Sequence, residues 1–252
     1  MTDAVSTVSI AVAYPDLLGT YGDGGNAVVL AQRLRWRGIP AEIIEVHAGE
    51  SVPDSCDIYV LGGGEDAPQA LAAEQLAAER PLHRAVDRGS VVFAVCAGLQ
   101  IVGHSFLVAG GQQRPGLGLL DCRTSRAAAK RAVGEIVVDP DPALGLPRLS
   151  GYENHGGVTD LGPGARPLGR VVEGVGNGDG DGNDGAVHGK VLGTYLHGPA
   201  LARNPALADL LLGWAVGGER LTPLDDSEAE SLRAERLSAS SKGGKGRRRF
   251  RR

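Results

Sequence analysis

The sequence predicts an α/β fold: a mainly parallel central sheet with helices on both faces and an antiparallel extension. Three observations lead there. Short apolar runs alternate with helix-like stretches through the first hundred residues, and such alternation builds parallel sheets buried between helix layers. Val91-Val92-Phe93-Ala94-Val95 is continuously apolar, after which Cys96 and small residues intervene and the apolar spacing turns helical, as where a buried strand feeds a helix. Four later apolar stretches, separated by turn residues, read as antiparallel strands.

Val8–Tyr14 reads as the first strand, and Tyr21-Gly22-Asp23-Gly24-Gly25-Asn26 as a loop closing on Asn26, a suitable N-cap. A helix over Ala27–Arg37 follows, stopped by Gly38. Ala41–His47 and Asp57–Leu61 are the next strands, and the second runs directly into Gly62-Gly63-Gly64-Glu65-Asp66. Pro68–Glu79 is Ala-rich and helical, Leu82–Asp87 adds another turn or two, and Gly89 leads into the central strand.

Beyond Gly103 the chain makes a turn-rich excursion. Gly134–Val138, Arg148–Tyr152, Pro167–Val172 and Lys190–Tyr195 then read as strands, with Gly174–Gly185 a flexible connection. Asp179, Asp181 and Asn183 imitate the start of a calcium loop, but Asp184 and Lys190 stand where that loop needs Gly and Glu. Calcium is not expected. Pro205–Val216 and Ser227–Leu237 read as helices; residues 1–237 are expected to form one domain and 238–252 a disordered basic tail.

Composition narrows the function classes. Seven of the last eleven residues are Lys or Arg, and removing those charges from the net −4 leaves a body of about −11. No nucleic acid is expected as a partner. Cys56, Cys96 and Cys122 cannot all pair within one chain and lack metal-ligand spacing, which fits a reducing, cytoplasmic setting. Asp3 and the lack of a basic residue before Arg33 argue against an ordinary signal peptide. The basic tail could meet an acidic surface such as the inner face of the membrane.

Cys96, at the turn from strand to helix, faces free backbone N–H groups and the positive end of a helix dipole, a setting that suits a nucleophilic sulfur. A buried structural cysteine is the competing reading. The triple glycine lets backbone approach a ligand and offers N–H groups to an oxyanion or phosphate, or it is a plain turn. Neither GxGxxG nor a Walker A loop is present. A nucleophilic cysteine needs a base. Of six histidines, His197, directly after a strand, and His155, in the polar segment Tyr152-Glu153-Asn154-His155-Gly156-Gly157, remain candidates, and the strand-end position favours His197.

Together these pieces resemble the class I (triad) glutamine amidotransferases of the CobB/CobQ-like branch, and within it the glutaminase subunits of lipid II isoglutaminyl synthases. The resemblance rests on Tyr21-Gly22-Asp23-x-Gly25-Asn26, Gly62-Gly63-Gly64-x-Asp66, the Cys96-x-Gly98-x-Gln100 elbow, Tyr152–Gly157 and Leu192–Pro199, and it covers about residues 8–237. It implies a flavodoxin-like α/β fold with Cys96 as nucleophile and His197 as general base and acid. It implies backbone N–H groups of Gly63 or Gly64 and of Ala97 as the oxyanion hole. Gln100, Asn154 and His155 would line the glutamine site, and Arg131 would hold the substrate carboxylate. Most of the class has Glu two residues after the histidine; here Pro199 stands there, so Asp23 is the candidate third member.

The resemblance further implies L-glutamine as substrate, no metal or cofactor on this chain, and a heterodimer with a Mur-ligase-like subunit, MurT. That partner would use ATP and Mg to activate D-glutamate of lipid II for amidation to D-isoglutamine in peptidoglycan synthesis. Rival readings are an amidotransferase for another acceptor such as a cobyrinate, a non-catalytic binding module of the same fold, and a thiol hydrolase or redox protein.

Overall fold

A computed structural model describes residues 6–126, 130–178, 180–217 and 221–247. The chain opens with β1 (Val8–Ala13), a short helix α1 (Pro15–Leu18), α2 (Gly25–Trp36), β2 (Ala41–Val46) and β3 (Ile58–Leu61). Helices α3 (Asp66–Glu79) and α4 (Pro81–Asp87), strand β4 (Val91–Val95) and helix α5 (Ala97–Val102) follow. The main sheet has six strands in the order Ala186–His188, Val191–Thr194, β4, β3, β1, β2. All neighbouring pairs are parallel except the edge strand Ala186–His188, which runs antiparallel.

Burial explains the apolar runs. Every residue of β3 and β4 is buried, because helices cover the sheet. One group, α2 with Ala200–Arg203 and Pro205–Val216, packs together, as do α3 and α5. With β1, β3, β4 and Val191–Thr194 parallel, the segments leaving their carboxyl ends share one edge, which is where open parallel sheets build sites. Those segments carry the Tyr14–Gly25 loop, the triple glycine, Cys96 and His197.

The antiparallel part is larger than expected. Ala132–Pro140, Leu149–His155 and Gly169–Glu173, with Asn183–Asp184, form a four-stranded sheet of their own. A second one joins Ser105–Leu107, Gln113–Pro115, Cys122–Arg126 and Gly157–Leu161, partly within what reads as a turn-rich excursion. Three local expectations are corrected. Lys190–Tyr195, expected among the antiparallel strands, supplies Val191–Thr194, which pairs parallel to β4 inside the main sheet. Asn26 is no N-cap: α2 starts at Gly25, and the Asn26 Oδ1 instead accepts from the Leu201 backbone N–H at 3.0 Å. The segment 174–185 is tied down at both ends rather than free. Glu153 accepts from the N–H groups of Val175 (2.8 Å) and Gly176 (2.9 Å), and the buried Asn177 side chain pairs with both backbone groups of Gly185.

The last helix spans Ser227–Arg247, ten residues past its expected end. Acidic residues in its first turn and basic residues toward its end complement the helix dipole, which favours extension. Residues 248–252, the end of the expected disordered tail, lie outside the described residues. No helix among the described residues is long and apolar enough to cross a membrane.

Candidate active site

Cys96 sits where β4 ends and α5 begins, with φ 53° and ψ −105°. A side-chain-bearing residue reaches this backbone region only under strain, about 1–3 kcal/mol, which surrounding structure must hold in place. Here its N–H donates to the Thr194 carbonyl (2.8 Å) and its carbonyl accepts from Gln100 (3.1 Å). Gly98 lets the elbow press onto β3: a Cβ there would lie 2.8 Å from the Leu61 carbonyl oxygen. Cys96 is only 6% exposed yet borders the cleft.

Beside it lies His197, which follows the strand Val191–Thr194 and is anchored by reciprocal backbone bonds with Tyr152. Asp184, fully buried, accepts from the Thr194 hydroxyl (2.6 Å) and the Tyr195 N–H (3.2 Å), fixing the approach to His197; burial pushes its carboxyl up to about 6. The His197 Nδ1 faces both oxygens of Asp23, at 3.2 and 3.0 Å, and both residues are buried. Burial disfavours the charged imidazole. Hydrogen bonding and charge from Asp23 and Cys96 outweigh it and hold His197 up to about 9. With Nδ1 on Asp23, the buried Nε2, which has no other hydrogen-bond partner, is the nitrogen left to serve Cys96.

The triple glycine divides its duties. The Gly63 N–H donates to Asp23 Oδ2 at 2.9 Å, so of the two glycines expected to offer an N–H to an oxyanion this one is engaged by the carboxylate. Gly64 borders the cleft in its stead, together with Ala97, whose N–H, at the first position of α5, has no acceptor within the helix. Gly63 is a glycine because a Cβ there would lie 2.7 Å from His197 Cε1.

The cleft is further lined by Gln100, Arg131, Asn154 and His155, and by the acidic pair Glu65 and Asp66. Arg131 donates to Asn154 through Nε (2.5 Å to Oδ1) and Nη2 (3.1 Å to the carbonyl). Gln100 is held between Gln69 (2.8 Å) and the Tyr195 hydroxyl (3.2 Å). The His155 ring stacks on Tyr195 at 3.8 Å and pairs with the Gly157 carbonyl (3.0 Å), so it shapes the wall from within. Cys96, Gly64, Ala97, Gln100, Arg131, Asn154 and His155 thus border one cleft, while Asp23, Gly63 and His197 stand behind it.

Sequence reasoning did not single out Tyr21, Gln69, Tyr195 or Arg126 as site residues. Tyr21 opens the Tyr21–Asn26 motif, and Gln69 stands on the first turn of the helix after the triple glycine. Tyr195 neighbours His197 in sequence. Arg126 borders the cleft from the strand Cys122–Arg126, whose pairing is long-range. Among the described residues no group of three or more His, Cys, Asp or Glu side chains is placed to hold a metal ion.

The chain is 38% identical over 201 residues to the lipid II isoglutaminyl synthase (glutamine-hydrolyzing) subunit GatD of Staphylococcus aureus strain N315, covering 78% of this chain and 79% of that one. Similarity to the subunit of the same name from Streptococcus pneumoniae R6 is 33% over 215 residues, covering 83% and 80%. A cobyric acid synthase of Pelotomaculum thermopropionicum is 35% identical over 228 residues, but this chain spans only 41% of its length. Among solved structures, a glutamine amidotransferase superposes with a TM-score of 0.54 at 25% identity, covering 82% of this chain and 98% of that one. Residues 9–205 match the CobB/CobQ-like glutamine amidotransferase domain, and the chain belongs to that family.

Proposed function

We propose that this chain is the glutaminase subunit of a lipid II isoglutaminyl synthase, and that Asp23, His197 and Cys96 form its catalytic triad. The observation that carries the reading is the buried Asp23–His197 pair, 3.0 Å apart, which leaves Nε2 of the imidazole buried and without a hydrogen-bond partner. Asp23 fixes the ring and its tautomer, so that Nε2 takes the proton of Cys96. The sulfur attacks the carboxamide carbon of L-glutamine. Negative charge moves to the oxygen, where the N–H groups of Gly64 and Ala97 receive it, each such donor lowering the barrier by about 3–4 kcal/mol.

Imidazolium then protonates the departing nitrogen, the C–N bond breaks, and ammonia leaves behind a glutamyl thioester. Water, deprotonated by His197, attacks that carbonyl; the C–S bond breaks and the thiol is restored as glutamate departs. Arg131 binds the substrate carboxylate, with Gln100, Asn154 and His155 shaping the wall. The chain has no Walker A loop, so acceptor activation belongs to a Mur-ligase-like partner of the MurT type. That subunit uses ATP and Mg to phosphorylate the α-carboxyl of D-glutamate in lipid II, and ammonia displaces the phosphate to give D-isoglutamine. The two act as a cytoplasmic heterodimer at the inner face of the membrane.

The test is glutamate release from L-glutamine by the purified chain, with and without the co-expressed partner, beside Cys96→Ser. Activity abolished in Cys96→Ser is expected. No release from folded wild-type protein with partner bound would sink the catalytic reading and leave a binding module.

A further inference from the structure

We infer that Tyr21 is a positioning residue for both ends of the reaction: its hydroxyl orients the Arg131 guanidinium and its ring fixes the catalytic imidazole. The inference rests on the assignment of Arg131 to the substrate carboxylate. Tyr21 meets both sides of the reaction. Its ring lies against His197, with centroids 4.7 Å apart and planes inclined at 53°. Its hydroxyl accepts from Arg131 Nη2 at 3.1 Å and from Asn154 Nδ2 at 3.2 Å, and Glu65 Oε1 stands 3.5 Å away.

The loop explains how one residue meets both sides: Gly22, at φ 74°, turns the chain so that Tyr21 and Asp23 reach the same imidazole from one short segment. Asp23 holds Nδ1, and the Tyr21 ring bounds the imidazole beside it, also touching the space a Gly63 side chain would need (3.1 Å from Cδ2). Arg131 meanwhile has Nε on Asn154 and Nη2 shared between Asn154 and Tyr21. The guanidinium is therefore pre-oriented for an incoming carboxylate.

The two halves of the side chain separate experimentally. Tyr21→Phe keeps the ring and removes the hydroxyl; Tyr21→Ala removes both. Steady-state hydrolysis of L-glutamine is measured on the chain co-purified with its partner, with Arg131→Ala alongside. In Tyr21→Phe, KM should rise about tenfold, the loss expected of a hydrogen bond to a charged group, while kcat stays within about twofold. Tyr21→Ala should show the same rise in KM and a kcat lower by about tenfold or more, which Phe rescues. Equal kcat in the Phe and Ala variants, or a wild-type KM in Tyr21→Phe while Arg131→Ala raises KM, overturns this double role. Wild-type KM in Arg131→Ala instead overturns the assignment of the carboxylate site itself.

Discussion

A histidine buried beside a carboxylate and a sulfur has a pH dependence that can be worked out in sign. Burial opposes the imidazolium, Asp23 and Cys96 favour it, and the balance lies at about 9, above the ordinary 6.5. A group raised in the folded state stabilises the fold fully below its unfolded value, and that contribution fades as pH climbs through the folded one. The window is therefore about pH 6.5 to 9. Asp23→Asn removes the charge but little volume, so melting temperature should fall less between pH 6.5 and 9.5 in the variant than in the wild type. Glutamine hydrolysis should drop by on the order of 10²–10⁴ through loss of ring orientation. Thermal melts at the two pH values decide the first point; an unchanged slope would mean that Asp23 is not what holds the imidazolium. Gly63→Ala probes the same pair sterically: with a Cβ 2.7 Å from His197 Cε1 and 3.1 Å from Tyr21 Cδ2, the imidazole must move. Hydrolysis should fall at least about tenfold with little change in secondary structure by circular dichroism.

The elbow is a property of two elements rather than of Cys96 alone. Helix α5 approaches β3 so closely at Gly98 that a methyl group would meet Leu61 backbone at 2.8 and 3.1 Å, as well as its Cβ at 2.9 Å. Backbone cannot swing aside as a side chain can, so Gly98→Ala should destabilise the chain by about 1–3 kcal/mol and displace Cys96. Denaturant unfolding measures the first effect, and the rate of Cys96 alkylation by iodoacetamide the second. This element was legible in the sequence because everything that makes it is contiguous: a buried strand, a cysteine, small residues and a helical apolar face. The short strands Ser105–Leu107 and Gln113–Pro115 were not legible, since three residues carry no periodicity and their partners are set by tertiary pairing. The same limit hid the Gly63 N–H: its acceptor, Asp23, lies forty residues earlier. Asn26 misled for a related reason, as a residue that caps helices well also serves a distant N–H equally well.

Across the whole molecule, segments far apart in sequence are clasped at one buried guanidinium. Arg33 on α2, with a side chain 4% exposed, donates bidentately to Asp209 and to Asp226, at 2.7–2.8 Å. Arg37 adds a bond to Asp209 (2.7 Å) and one to the Thr222 carbonyl (2.7 Å). The cluster joins α2 to the helix Pro205–Val216 and to the start of the last helix, Ser227–Arg247. Both carboxylates are largely shielded from water, 29% and 26% exposed, so screening by solvent does not cancel the interaction as it would at a surface. Arg33→Met fills the volume yet leaves Asp226 without its bidentate partner and Asp209 with Arg37 alone. Removing one member of such a cluster should cost about 3 kcal/mol, which for a chain of this size lowers the melting temperature by roughly 6–12 °C. The cluster borders a separate groove with Val28 and Trp36, not the cleft at Cys96. Glutamine hydrolysis at 25 °C by the folded variant should therefore stay within about twofold of wild type. A melting temperature unchanged in Arg33→Met would show that apolar packing of α2, rather than this ion cluster, fastens the carboxyl-terminal helices to the sheet; a large loss of hydrolysis at full foldedness would mean that α2 transmits its position to the Tyr21–Asp23 loop immediately before it.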